Sequence, residues 1–313
     1  MSTLPSGDHT PDNYELPLDH SSEKFKKVIR KILYPALNAF NHYRLLRKFH
    51  FQDFKPDLFL WGQRGNDYQR HRRRVASYTK IKGQKILVAG CGTGRDIESW
   101  AILNPKEIIG VDLFNYEKAW NKWKERFSFI APEVNVSFVQ ASLTDLKVFK
   151  DESFDIISSD AVFEHIVDFP SVLKEFKRIL KPGGILYSTF GPLWYSWGGD
   201  HVSGYDDVLA GYNHLMLNQI EYKKYLDKMG EHSHDEHDGR TWIENDLFSK
   251  LKPREYLKNL EQAGFSPLFI SAIIDPNAVA CMNQKLFESA PLKNLELLDL
   301  LTSGMTIIYE RKK

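Results

Sequence analysis

Cysteine is almost missing from this 313-residue chain, which has only Cys91 and Cys281. Two thiols make no disulfide framework, and neither stands at metal-ligand spacing. No apolar run reaches the ~18 residues that a membrane span requires. The polar first twenty residues also lack the apolar core of a signal peptide, so a reducing cytoplasm is the expected compartment. Internal repeats are absent, and so is a large net charge: 42 Lys and Arg against 41 Asp and Glu leave +1. What remains, 42% apolar and 27% charged residues, is ordinary for a soluble globular protein. The length suits one sizeable core with additions.

The charge is unevenly spread. Residues 1–20 hold four acids and no Lys or Arg, whereas residues 21–80 hold fifteen Lys and Arg against four acids. Residues 1–20, with Pro5, Gly7, Pro11 and Pro17, read as a flexible tail whose removal should leave ligand binding intact. Residues 21–80 read as a helical extension, broken near Pro35, Pro56 and Gly62 and ending in a helix at Arg70–Tyr78. Within it, residues 21–33 predict a basic amphipathic helix, with Lys24, Lys26, Lys27, Arg30 and Lys31 beside Phe25, Val28, Ile29, Ile32 and Leu33. Such a helix can lie on an anionic membrane surface or meet an anionic substrate, or pack on the core with its lysines in water.

From residue 81 the pattern changes. Ile86-Leu-Val-Ala is a buried strand, and Gly90, Gly92 and Gly94 follow at every second position. Without Cβ atoms such a turn lets backbone approach a ligand closely. A second apolar run ends on Asp112, eighteen residues after Gly94, where a carboxylate can hold the two hydroxyls of a ribose. These features describe a nucleoside-binding α/β domain. A dinucleotide fingerprint would carry glycine at position 95, which is Arg95 here.

The G-x-G-x-G pattern, with Asp151-Glu-Ser-Phe-Asp155, Glu164-His-Ile166 and Leu180-Lys-Pro-Gly-Gly184 in that order, resembles class I S-adenosylmethionine-dependent methyltransferases over roughly residues 82–190. The resemblance implies a Rossmann-like, doubly wound sheet of seven strands in the order 3-2-1-4-5-7-6, its last strand antiparallel. The methyltransferase domain would then run over 81–313, with an aromatic insertion at 191–250 after strand five. A helix is expected from Ala161 to about Leu180, ended by the proline and glycines.

The resemblance also implies the donor site for S-adenosylmethionine. Gly90, Cys91 and Gly92 should pass beneath its methionyl and ribose portions, Asp112 should accept from the ribose hydroxyls, and Leu113 should pack on the adenine. Ser142 and Leu143 stand where the family often has an acid and an apolar residue, and Asp145 could replace that acid. Asp160 should sit near the methionyl end. Cys91 is read as a small residue that fits the loop, not as a nucleophile.

Methyl transfer to an alcohol needs a general base, and histidine suits neutral pH. His201, in a turn expected to be mobile and exposed, and His165, at the active-site edge of the sheet, are the candidates, with His214 a third. The Glu231–Asp238 run reads as a solvated acidic loop. The set Asp160, Glu164 and His165 departs by one residue from the metal cluster of some quinone-biosynthesis methyltransferases, so no metal is expected. The strand-four end reads Asp160-Ala-Val-Phe163 in place of the Asn/Asp-Pro-Pro-Tyr/Phe of base-amino methyltransferases, which argues against nucleic acid. The expected acceptor is a small molecule, most readily a hydroxyl of a sugar, natural product or lipid-linked metabolite. An N-methyltransferase, an RNA methyltransferase and a non-catalytic cofactor-binding scaffold are the alternatives.

Overall fold

The computed structural model describes residues 4–16, 40, 58–61, 68–229, 239–281, 286, 289 and 291–313. The basic 21–33 segment and the Glu231–Asp238 run lie outside the described residues. The strands are β1 (Leu58–Trp61), β2 (Lys85–Ala89), β3 (Glu107–Asp112), β4 (Asn135–Gln140), β5 (Phe154–Asp160), β6 (Leu180–Phe190), β7 (Phe265–Ile274) and β8 (Thr302–Arg311). They form one sheet in the order 1-7-8-6-5-2-3-4. Counted from β2 and without β1, this is 3-2-1-4-5-7-6, and β8 runs antiparallel to both its neighbours.

The central strands are continuous apolar runs because both of their faces are covered. Ile86, Val88 and Ile108 point to one cluster, which includes Trp100, Trp123 and Tyr187. Leu87, Ala89 and Val111 point to the other, with Phe163, Phe169 and Phe176. Helices α1 (Tyr68–Ala76), α2 (Glu98–Ala101) and α3 (Glu117–Ile130) lie on the first side, and α4 (Phe169–Ile179) on the second. The insertion carries α5 (Asn213–Met216), α6 (Gln219–Met229) and α7 (Gly239–Glu244), and α8 (Pro253–Gln262) leads into β7.

Three local expectations are corrected. The 21–80 extension is not wholly helical, since Leu58–Trp61 pairs in parallel with Ser271–Ile274 of β7. A short apolar and aromatic run suits the open edge of a sheet. The helix expected from Ala161 comes in two pieces, a single turn at Phe163–His165 and then α4, which Asp168 restarts by accepting from the Ser171 amide, with proline in its first turn. Strand β6 begins at Leu180, so the Lys-Pro-Gly-Gly segment ends the helix but already belongs to the strand.

A buried ion pair joins α1 to the end of β5. The Arg72 Nη2 lies 2.6 Å from Asp160 Oδ2, and both side chains are almost fully enclosed. Tyr187 donates its hydroxyl to the other oxygen of Asp160 at 2.7 Å, and Arg72 Nε donates to Ser99 Oγ at 3.0 Å. The guanidinium also packs over Trp100 at 4.5 Å. Breaking such a pair leaves one charge without a partner in a low dielectric.

We expect Arg72→Met to cost about 3–5 kcal/mol in urea unfolding. Adding Asp160→Asn should recover more than half of that loss, since it removes the stranded charge and leaves Tyr187 an acceptor. A single substitution within ~0.5 kcal/mol of the parent protein would show that the pair does not anchor α1.

Candidate functional site

Strand β2 delivers the chain to Gly90, whose amide and that of Cys91 both donate to the Val111 carbonyl. The turn that follows needs glycine on steric grounds. Gly90 has φ +70°, and a Cβ there would stand 2.3 Å from Val162. Gly92 has φ +49°, in the left-handed region. The loop is closed from the far side by Trp120 of α3, whose Nε1 donates to the Gly92 carbonyl at 2.8 Å. Cys91 is buried, as a small residue fitted into the loop.

Asp112 ends β3 beside this turn. Its Oδ2 accepts from the Gly92 amide at 2.7 Å and its Oδ1 from the Phe114 amide at 3.0 Å. The carboxylate thus stitches the glycine loop to the Leu113–Tyr116 loop. Each carboxylate oxygen can accept a second hydrogen bond, so these contacts are compatible with holding a diol. Leu113 is half-buried next to it, and its carbonyl accepts from Gln140 Nε2 at 3.1 Å. Across the gap Ser142 pairs with Thr144 at 2.8 Å, and Leu143 is half-buried against the core. Asp145, the candidate substitute for the missing acid, pairs with Lys147 at 3.3 Å. The bare glycine turn with a carboxylate beside it is compatible with an adenosyl group.

Asp160 lies at the expected strand end, but its oxygens face Arg72 and Tyr187. The residue therefore fixes α1 beside the glycine loop. Arg72 was missed in sequence because it is one arginine in the run Arg70-His-Arg-Arg-Arg74, where only burial distinguishes it.

The two leading histidine candidates come together. The rings of His165 and His201 are 4.9 Å apart. His165 stacks on Trp242 of α7 at 4.2 Å, and its Nδ1 lies 2.9 Å from the Leu247 carbonyl. Phe248 packs within 5.7 Å of His201 and within 4.8 Å of Trp194.

His201 is not in a mobile, exposed turn. Asp200 is fully buried and accepts from the amides of Val202 and Ser203 and from the hydroxyls of Ser203 and Tyr222. These bonds hold His201 at φ +66° with its Nε2 enclosed and without a hydrogen-bond partner among the described residues. Burial, with His165 next to it, pushes its pKa down to about 3, so the ring is neutral at pH 7. His214 supports this turn: its Nε2 lies 2.7 Å from the Trp194 carbonyl and its Nδ1 3.8 Å from Asp200.

Glu164 is the residue that the sequence reading placed only in a discarded metal set. It is 2% exposed, and its Oε1 accepts from the Gly191 amide at 3.0 Å. Its Oε2 is buried without a hydrogen-bond partner among the described residues. Burial first, and the Asp160 charge in addition, push its pKa up to about 8. Its position one residue before His165, just past the strand-four end, was a signal available in the sequence. With Asp160 bound to Arg72 and His165 facing the Leu247 carbonyl, these three side chains do not gather. No group of three His, Cys, Asp or Glu among the described residues is placed to hold a metal.

Residues 87–188 match the family model described as a methyltransferase domain. The chain is similar to the sterol 24-C-methyltransferase erg6 of Aspergillus fumigatus, 30% identical over 118 residues, which are 37% of this chain and 30% of that protein. It is 37% identical over 116 residues to the arsenite methyltransferase of Aquipseudomonas alcaligenes, covering 34% of this chain and 32% of the other. It is 33% identical over 118 residues to a ubiquinone/menaquinone biosynthesis C-methyltransferase of Campylobacter jejuni, covering 36% and 47%. The matched segments thus span less than half the length of these relatives. Among solved structures, a protein assigned to the S-adenosylmethionine-dependent methyltransferases, from Listeria monocytogenes, superposes with a TM-score of 0.50 at 14% identity, over 80% of this chain and all of the other. Residues 87–188 thus match a methyltransferase-domain model, and the sheet around them has the 3-2-1-4-5-7-6 order of that Rossmann-like fold.

Proposed function

We propose that this protein methylates a hydroxyl of a small-molecule acceptor, such as a sugar, a natural product or a lipid-linked metabolite. The observation that carries the reading is two enclosed polar atoms with no hydrogen-bond partner among the described residues, Glu164 Oε2 and His201 Nε2. Buried polar groups in native proteins are hydrogen-bonded, so each of these orphans can take a polar ligand. S-adenosylmethionine, when bound, supplies a methyl group already activated on sulfonium. The protein's own work is to align the acceptor, exclude water and take its proton.

Glu164 is the better base. A group with a pKa near the working pH combines a usable deprotonated fraction with proton affinity. Its Oε2 would accept the acceptor's hydroxyl proton while the Gly191 amide holds Oε1. His201, neutral and weakly basic, would orient the acceptor by a hydrogen bond. This replaces the assignment of the base to His201 or His165. Asp112, with Gly90, Cys91, Gly92, Leu113, Ser142 and Leu143, would hold the donor. Trp194, Trp242 and Phe248 would stack on the acceptor's ring or chain. Those aromatics beside a carboxylate would also suit an ammonium acceptor, which is the observation behind a second, N-methylating reading.

Asp112→Ala should weaken S-adenosylhomocysteine binding by about 1.5–3 kcal/mol, the scale of charge-assisted hydrogen bonds. Unchanged affinity in calorimetry would remove the donor assignment. Once an acceptor is found, kcat/KM should rise about tenfold per pH unit and level off near the Glu164 pKa of about 8. The charged neighbour that raises this value is Asp160, itself held by Arg72. Glu164→Gln should lower turnover by roughly 10²–10⁴ and abolish that limb. A variant with parental rate and pH profile would return the role to a histidine or to a base-free amine.

The same shift has a stability consequence. A carboxyl whose folded pKa is raised favours the folded state while neutral, and that advantage is lost as pH rises from the ordinary 4.5 through about 8. Glu164→Gln should therefore gain stability relative to the parent protein between pH 5 and pH 9, read by urea unfolding. A constant difference over that range would contradict the buried, protonated carboxyl.

A further inference from the structure

Helix α3 begins without a cap of its own. Its N-cap residue, Tyr116, makes no side-chain bond to the first turn. A first-turn amide is served from more than a hundred residues away. Thr10 Oγ1 accepts from the Ala119 amide at 3.3 Å. Ala119 is the third residue of the helix, one of the two positions whose amide an N-cap side chain normally serves. Asp8 faces Lys118 Nζ at 3.7 Å and braces Thr10, whose hydroxyl donates to Asp8 Oδ1 at 2.7 Å. A carboxylate at this end also meets the positive end of the helix dipole.

The segment around this cap is attached all along the donor-side edge. Gln140 Nε2 donates both to the Pro5 carbonyl at 2.7 Å and to the Leu113 carbonyl at 3.1 Å, joining the segment to the loop beyond Asp112. The His9 amide donates to the Asn115 carbonyl at 2.7 Å, and its ring meets Phe114 edge-on at 5.0 Å. Further along, Trp123 Nε1 donates to the Tyr14 hydroxyl at 2.9 Å and Lys122 Nζ to the Tyr14 carbonyl at 2.5 Å. Residues 4–16, read in sequence as part of a flexible tail, thus hold the Leu113–Tyr116 loop from the outside. Asp112 and Trp120 hold that loop to the glycine turn from the inside.

We propose that residues 4–16 are part of the methyl-donor site, with Thr10, braced by Asp8, as the positioning residue that caps α3 and so sets the loop on which adenosine rests. The inference rests on the donor-site reading of Asp112 and Leu113. Its consequence reverses the expectation from sequence: removing the segment impairs donor binding. Neither residue needs to touch the donor, because the loop between β3 and α3 has its far end fixed only if the helix start is fixed. The acceptor side, around Glu164 and His201, has no hydrogen bond to this segment among the described contacts, so its chemistry should be left intact.

The test compares Thr10→Val, which removes the hydroxyl at nearly constant shape, with Thr10→Ser, which keeps it. S-adenosylhomocysteine is titrated calorimetrically into the full chain, and thermal unfolding is recorded in parallel. Loss of a cap is worth enough to weaken binding by roughly three- to thirtyfold in Thr10→Val, with Thr10→Ser close to the parent protein. With an acceptor in hand, the same variant should raise the KM for the donor and leave kcat at saturation unchanged. Should Thr10→Val be less stable yet bind the ligand within about twofold of the parent, the segment is merely structural and the proposal falls. Failure of the unaltered protein to bind S-adenosylhomocysteine would overturn the donor-site reading itself. Asp8→Asn, which keeps an acceptor oxygen but loses the charge, should weaken binding less than Thr10→Val. Equal effects would place the contribution in charge and contradict capping.

Discussion

The carboxylate of Asp112 is the contact on which the site's geometry depends. Its two oxygens take the Gly92 and Phe114 amides, so the glycine turn and the loop after β3 cannot move independently. Everything on the donor side is arranged around that stitch. Gly90 and Gly92 keep the turn bare, Trp120 closes it from α3, and the Thr10 cap fixes where α3 begins. A backbone held at so many points is organised before a ligand arrives, which lowers the ordering cost of binding.

The acceptor side follows a different logic. The buried Arg72–Asp160 pair engages the acid at the end of β5 and uses it to fasten α1. Past that pair, Glu164 is kept in a dry setting where its charged form is disfavoured. His201 is neutral for the same reason, because burial penalises charge on either kind of group. Burial therefore moves the carboxyl toward neutral pH and the imidazole away from it. Histidine is the usual base at neutral pH only when its pKa is unperturbed, and here it is not.

How much of this was legible in the sequence depended on the distance between the residues concerned. The Gly90–Gly94 turn and the buried central strands were readable from local spacing and apolar runs, whereas the sheet order came from the family resemblance. The helix before β2 was readable from its charge pattern. What was not readable involved partners far apart in the chain. Nothing near Thr10 announces Ala119, and nothing near Arg72 announces Asp160. Leu58–Trp61 is too short to declare itself a strand without the open edge of β7 that receives it. Glu164 was visible as a residue, but its role depends on an environment assembled from β5, β6 and the insertion, which no local pattern encodes. His201 shows the same limit: a Gly-Gly-Asp-His turn looks mobile until Asp200 is seen to accept four hydrogen bonds.

The central claim is that the glycine turn and Asp112 form a site for S-adenosylmethionine. Calorimetric titration of the full chain with S-adenosylmethionine, and separately with NAD, tests it most directly. The account predicts saturable binding of the methyl donor and none of the dinucleotide. Binding of NAD alone, or of neither ligand, would contradict it and leave only the shared architecture of an α/β nucleotide-binding fold.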